Sequence, residues 1–400
     1  MKTMLAYLML AVALVGASAA YADVVTEANA KAAEIASKVP ATPIAVRTMA
    51  ITQVAVFDAV SAITGRYPAV RAKVTAPRDA SVDAAVAAAT RTVLVKMMPP
   101  QQAAIDADYQ AQLKAVPDGR AKTDGIAVGE QAATAVLAAC AEDGWNAPNM
   151  YRPATTPGVY VPTMFPAVPH WGKRKPWVMT GGDQFRPGPP PNLTSDTWKR
   201  DFNEIKALGS KTSTQRTPEQ TAIAQFWEAT LPTVYWPVAR SVANAPGRDV
   251  SDNARLMALA AMAMDDSLIA VFDAKYTYNF WRPVTAIRNA EGDARDLGWM
   301  PFIETPMHPE YPCAHCIVSG ALGAVLEAEL GTGPLPKLSS ASYTANGTVR
   351  NWARVSDFVD EVAVARIYDG VHYRNSTEVG TSMGRKIGAL VAKSVPKATR

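Results

Sequence analysis

The chain has 400 residues, of which 48% are hydrophobic and 19% charged, with a net charge of +4. That composition excludes a disordered chain. Acidic and basic residues are interspersed without a basic stripe, which excludes a nucleic-acid partner of the ordinary kind. Three cysteines, Cys140, Cys313 and Cys316, are too few for a disulfide scaffold, and their odd number leaves at least one unpaired within a monomer.

The first residues read as a targeting segment. Met1-Lys2 is followed by an apolar run from Met4 to Val15 and by small residues from Gly16 to Ala22. This is the pattern of a signal peptide, expected to be cleaved after Ala22, so residues 1–22 are assigned to it. The expected location is periplasmic or secreted. The run is too short for a comfortable membrane span, and no later stretch reaches about 18 uninterrupted apolar residues.

Residues 23–150 form an N-terminal helical region. Helices are expected at 24–39, 44–63, 81–97, 100–115 and 121–142. In the second, Ile44, Val46, Met49, Ile51, Val54, Val56, Phe57 and Val60 recur at mostly helical spacings. Pro99-Pro100 and Pro117-Asp118-Gly119 punctuate the series. Cys140 reads as a small buried hydrophobe. Residues 151–200 are a long irregular loop with ten prolines between Pro153 and Pro191. Its tyrosines and tryptophans favour an ordered, packed loop. His170, beside Trp171, reads as a packing or surface residue.

Residues 201–400 are again helical and carry the chemistry. Helices are expected at 217–232, 251–275, 313–330, 356–369 and 376–394, with Ser251 or Asp252 capping the second. From Pro283 to Pro312 the chain reads as irregular. Strand-like alternation is nearly absent, so the fold class is all-α, built of helical bundles with one long Pro-rich loop. The sequence leaves a homo-oligomer open.

Three of the four histidines fall between positions 308 and 372. Lys275 and Arg282-Pro283 come first, then Pro312-Cys313-Ala314-His315, then Arg366 and His372. Such a set suits a tetrahedral oxyanion: cations for its oxygens, an imidazole for its central atom and a second imidazole for proton transfer. Pro312 marks a helix start, where first-turn N–H groups have no intrahelical partner and favour an anion. Gly370 ends a helix and leaves His372 just beyond it. Asp266 and Asp273 share a helix face, and capping or solvated pairing is preferred over orienting His315 or the cations for them. Cys313-Ala314-His315-Cys316 is a C-x-x-C at a helix start. A thioredoxin-like enzyme would need βαβ context that is missing here, and a structural or regulatory disulfide is the better reading.

In order and spacing, these elements resemble the vanadium-dependent haloperoxidases and the type-2 phosphatidic acid phosphatase-like acid phosphatases that share their site. The family pattern is K-x6-R-P, P-S-G-H and S-R-x5-H. The first element is intact within "YNFWRP", and "HPEYP" (308–312), "AVFDAV" (55–60) and "QFRPGPPP" (184–191) are similar to the bacterial haloperoxidase-like branch. The resemblance implies vanadate as cofactor, with His372 as the ligand of vanadium. Lys275, Arg282, Cys313, Ala314 and Arg366 would bind the oxygens, His315 would be the acid/base and His308 would modulate halide handling. The implied substrates are hydrogen peroxide and a halide. The same pocket allows phosphate-ester hydrolysis through a phosphohistidine at His372, or a non-catalytic oxyanion-binding relative. Cys313 stands where the pattern has serine, Ala314 where it has glycine and Ala365 where it has serine. Ser376 stands where many of the phosphatases have an aspartate that orients the histidine.

Overall fold

The computed structural model describes residues 23–397 except 40, 230, 332 and 334. The expected signal peptide lies outside the described residues. Thirteen α-helices and one short β-hairpin make up the regular structure among them, and the protein is all-α.

The first five helices are α1 (Val24–Ala36), α2 (Thr42–Thr64), α3 (Val82–Met97), α4 (Gln102–Ala115) and α5 (Arg120–Ala139). Asp23 caps α1 by accepting from the Thr26 N–H, and Ser81 does the same for α3 at Ala84. α2 is long and apolar enough to cross a membrane by composition. It is instead the core of the first bundle, covered by α3, α5 and a later helix.

The Pro-rich segment leads to α6 (Asp196–Leu208), α7 (Pro218–Trp227), α8 (Leu231–Ala243) and α9 (Val250–Tyr278). Then come α10 (Pro283–Arg288), α11 (Ala314–Leu330), the antiparallel pair β1 (Leu338–Ser342) and β2 (Thr348–Trp352), α12 (Val355–Tyr368) and α13 (Arg374–Ala392). α9 is the axis of the molecule. It is buried on nearly every side from Ser251 to Lys275, with α2 against one flank and α11 and α13 against another. Each large apolar side chain buried there contributes about 1.5–3 kcal/mol.

The ordered loop is borne out, and its anchors are carboxylates of α9. Asp266 accepts from the backbone N–H groups of Trp177, Val178 and Met179 at 2.7, 3.0 and 3.1 Å. Asp265 pairs with Arg174 at 2.8 Å, and Asp273 pairs with Arg186 at 2.7 Å. The expectation of capping or solvated pairing therefore fails for Asp266, which is fully buried.

Other corrections have local causes. The expected 217–232 helix stops at Trp227, and a separate α8 starts at Leu231 and tolerates Pro237 inside it. Neither α6 nor the short α10 was anticipated. Asp249 caps α9, accepting from the Asp252 N–H at 2.9 Å, in place of Ser251 or Asp252.

Candidate oxyanion site

The site lies where α9 ends and where α11 and α13 begin. α11 and α13 pack so closely that a Cβ on Gly384 would sit 2.0 Å from the Ile317 carbonyl oxygen. Only glycine permits that approach. The Cys313 N–H donates to the Ser376 carbonyl at 3.2 Å, tying the two helix starts together. Gly370, with φ +78°, turns the chain sharply after α12. The Val371 and His372 N–H groups then fold back on the Arg366 carbonyl at 3.3 and 3.2 Å.

Lys275, Arg282 and Arg366 are all buried. Lys275 Nζ donates to the Pro309 and Glu310 carbonyls, both at 2.8 Å. Arg282, extended before Pro283 as the following proline demands, donates from Nε to the His308 carbonyl at 2.9 Å and from Nη1 to the Val371 carbonyl at 2.8 Å. Its Nη1 is also 3.4 Å from His372 Nε2, and its Nη2 is 3.0 Å from His308 Nδ1. Arg366 donates from Nη1 to the Trp227 carbonyl at 3.0 Å and pairs with Asp369 at 2.6 Å. Arg282 and His372, 90 residues apart in sequence, are thus neighbours.

The electrostatics follow from burial. Burial first, then the charge of Arg282, holds the Lys275 amine well below its ordinary range. Burial lowers the Arg282 guanidinium to about 10. Burial first and then the nearby cations hold His308, His315 and His372 well below 6.5. Burial pushes the carboxyls of Glu310 and Asp369 up to about 7 each, against the pull of Lys275 and of Arg366 respectively.

An oxyanion fits these residues. His315 Nε2 and Arg366 Nε are buried polar atoms without a hydrogen-bond partner, and such atoms ordinarily find one. His315 is the second residue of α11, in the turn whose N–H groups have no intrahelical partner. The Ala229 carbonyl takes a hydrogen bond from its ring, which leaves Nε2 free to exchange a proton. His308 rests edge-on against Phe272, with ring centroids 5.3 Å apart. Ala314 opens α11 and is nearly buried.

One residue differs from expectation, and the support of His372, left open at Ser376, comes from elsewhere. Cys313 is disulfide-bonded to Cys316. It has no S–H to offer an anion, and its sulfur accepts from the Cys316 N–H at 3.2 Å. The donor expected of Cys313 is therefore missing. Ser376 Oγ is 3.5 Å from His372 Nδ1, too long for a strong hydrogen bond. Glu310, which the sequence reading left without a role, holds that nitrogen at 2.8 Å. The one available signal was its place in "HPEYP". His170, as expected, is peripheral, with Nε2 2.9 Å from the Trp145 carbonyl. Cys140 is buried and unpaired.

A buried cluster of cations and imidazoles at helix termini, set in an all-α fold, defines a class of oxyanion-binding proteins. The comparisons with known proteins point to one family. Residues 255–400 match the family model described as the VCPO second helical-bundle domain. The structure of the first bacterial vanadium-dependent iodoperoxidase superimposes with a TM-score of 0.80 at 25% identity, covering 94% of this chain and 96% of that one. A holo-type bacterial vanadium-dependent chloroperoxidase gives 0.72 at 18% identity, covering 90% and 94%, a likeness of fold. Vanadium chloroperoxidase from Curvularia inaequalis is 26% identical over 188 residues, a match covering 38% of this chain and 31% of that protein. Together these matches support the superfamily of the vanadium-dependent haloperoxidases for this chain.

Proposed function

We propose that this chain is a haloperoxidase-like enzyme that holds vanadate at His372 and oxidises a halide with hydrogen peroxide. The observation that carries the reading is Lys275, Arg282 and Arg366 buried around His372, with Nε2 of His315 left partnerless. The carboxyls beside these groups, Glu310 and Asp369, are themselves pushed up to about 7 by burial, so they compensate the three basic groups incompletely and an added anion would be favoured. Bound vanadate would supply a Lewis-acid centre and orient the peroxide. Lys275, Arg282 and Arg366 would neutralise the negative oxygens, each from a direction its backbone contacts already set. His372 would offer its Nε2 lone pair. His315, kept neutral at physiological pH by burial and by Arg366, would accept and return a proton through Nε2. His308, touching Arg282, would tune the charge on that side. The segment Met1 to Ala22 supports an exported enzyme, periplasmic or secreted.

The test uses one purified sample. Loaded with orthovanadate, it is expected to bind close to one vanadium per chain and to oxidise iodide, bromide or chloride in the presence of peroxide. The vanadium-free protein is assayed with a chromogenic phosphate ester. Ester turnover without halide oxidation would replace the proposed reading by a phosphatase. Oxyanion binding with neither activity would make the chain a non-catalytic relative.

A further inference from the structure

Glu310 is fully buried, in the segment that leads into α11. Its Oε1 lies 2.8 Å from His372 Nδ1 and 3.0 Å from the Tyr373 backbone nitrogen. The Tyr373 N–H donates to Oε1, and as a carboxylate Glu310 accepts through that oxygen at both contacts. His372 must then carry its proton on Nδ1. The opposite side of the ring agrees independently. Arg282 Nη1, which can only donate, faces Nε2 at 3.4 Å. Both neighbours favour the same tautomer, with the lone pair on Nε2 directed toward the cations, but the Arg282 contact at 3.4 Å is too long to fix it alone. Ser376, the next residue within reach, is a long 3.5 Å away.

We propose that Glu310 is the positioning residue of His372, fixing the Nδ1–H tautomer and ring orientation that present Nε2 to the oxyanion. The carboxylate reaches the ring from 62 residues upstream, in place of a side chain in the turn after the histidine. It also makes the ring more basic, as a carboxylate partner does for a ligating imidazole. The consequence for oxyanion binding rests on the proposed function, whereas the tautomer does not.

The test labels histidine with nitrogen-15 in the oxyanion-free protein and reads each tautomer from long-range proton–nitrogen correlations. His372 is assigned through His372→Gln. Orthovanadate affinity is titrated in parallel by calorimetry. Wild type should show His372 as the Nδ1–H tautomer. Glu310→Gln, whose Oε1 still accepts, should keep it, with a modest loss of affinity. Glu310→Ala and the space-filling Glu310→Met should lose the single tautomer and bind orthovanadate roughly 10–100-fold more weakly. The Met variant carries the test if the Ala variant does not fold. An Nε2–H tautomer in wild type, or an unchanged Nδ1–H tautomer in the Ala or Met variant, would overturn the proposal. A wild type that binds no orthovanadate would defeat the enzyme reading, and the tautomer comparison would still decide the role of Glu310.

Discussion

In the proposed enzyme His315 and His372 would face one anion with different requirements. His372 needs a lone pair at Nε2, and Arg282 and Glu310 enclose the ring from either side. His315 needs an Nε2 that is free to take a proton, and that atom is buried without a partner. The two substitutions should therefore separate. His372→Ala should abolish attachment of vanadium to the protein, while Lys275, Arg282 and Arg366 retain part of the oxyanion affinity. His315→Ala should leave affinity largely intact and slow turnover by roughly 10²–10⁴-fold. Metal retention after gel filtration and steady-state halide oxidation measure the two effects. Unchanged turnover in His372→Ala would end its assignment as ligand. Most of these residues were legible in the sequence because each motif is local: a lysine seven residues before an arginine, or an arginine six before a histidine. Glu310 was not, because its partner lies far along the chain and only the fold brings them together. The loss of the Cys313 donor depended on the bond to Cys316, which spacing allowed but did not require.

Among the elements, α11 and α13 decide whether the site exists. Their starts carry His315 and follow His372, and Gly384 and Gly388 let the helices touch. A methyl on Gly384 would meet the Ile317 carbonyl oxygen at 2.0 Å, a contact that forces the helices apart because backbone cannot rotate away. Gly384→Ala should cost about 1–3 kcal/mol despite the better helix propensity of alanine. It should also weaken orthovanadate binding, since the separation propagates to Cys313 and Ser376. Denaturant unfolding and a vanadate titration test this. A variant as stable as the parent would show that the contact is not constraining. The long helices were readable from 3.6-residue periodicity, with ends within a few residues. α6 was passed over although Trp198, Phe202 and Ile205 stand at helical spacing, because its other positions are strongly polar. α8 was hidden by Pro232 and Pro237, one harmless in the first turn and one tolerated inside. The hairpin strands have five residues each, too short for alternation to stand out.

At the scale of the whole molecule, the helices of both halves were legible, but the way α9 joins them was not. Its burial on every side gives no amphipathic stripe from which a partner could be read. The consequence is energetic: the best-packed helix delivers Lys275 into the most desolvated part of the protein. Burial, then Arg282, opposed by Glu310 and reinforced by Arg366, holds that amine well below 10.5. Between the depressed value and 10.5 the unfolded chain binds more protons than the folded one. Lys275 should therefore contribute stability to the anion-free protein that rises with pH across that window, read as the difference between wild type and Lys275→Met because buried Cys140 and the buried tyrosines contribute in the opposite sense there. Glu310 and Asp369, at about 7, and the lowered histidines have finished titrating by about pH 8.5. A tetrahedral dianion beside Lys275 restores the ammonium, so binding must take up protons and flatten that rise. Sulfate suits the measurement because it exchanges no proton of its own there. Calorimetry at about pH 8.5–9, in two buffers of different ionisation enthalpy, should show proton uptake by wild type and little by Lys275→Met. At a hundredfold excess over its Kd the anion should add about 2.7 kcal/mol of stability. Sulfate bound by wild type with no proton uptake would mean that Lys275 is already charged in the anion-free protein, and that its two backbone carbonyls suffice to hold the ammonium there.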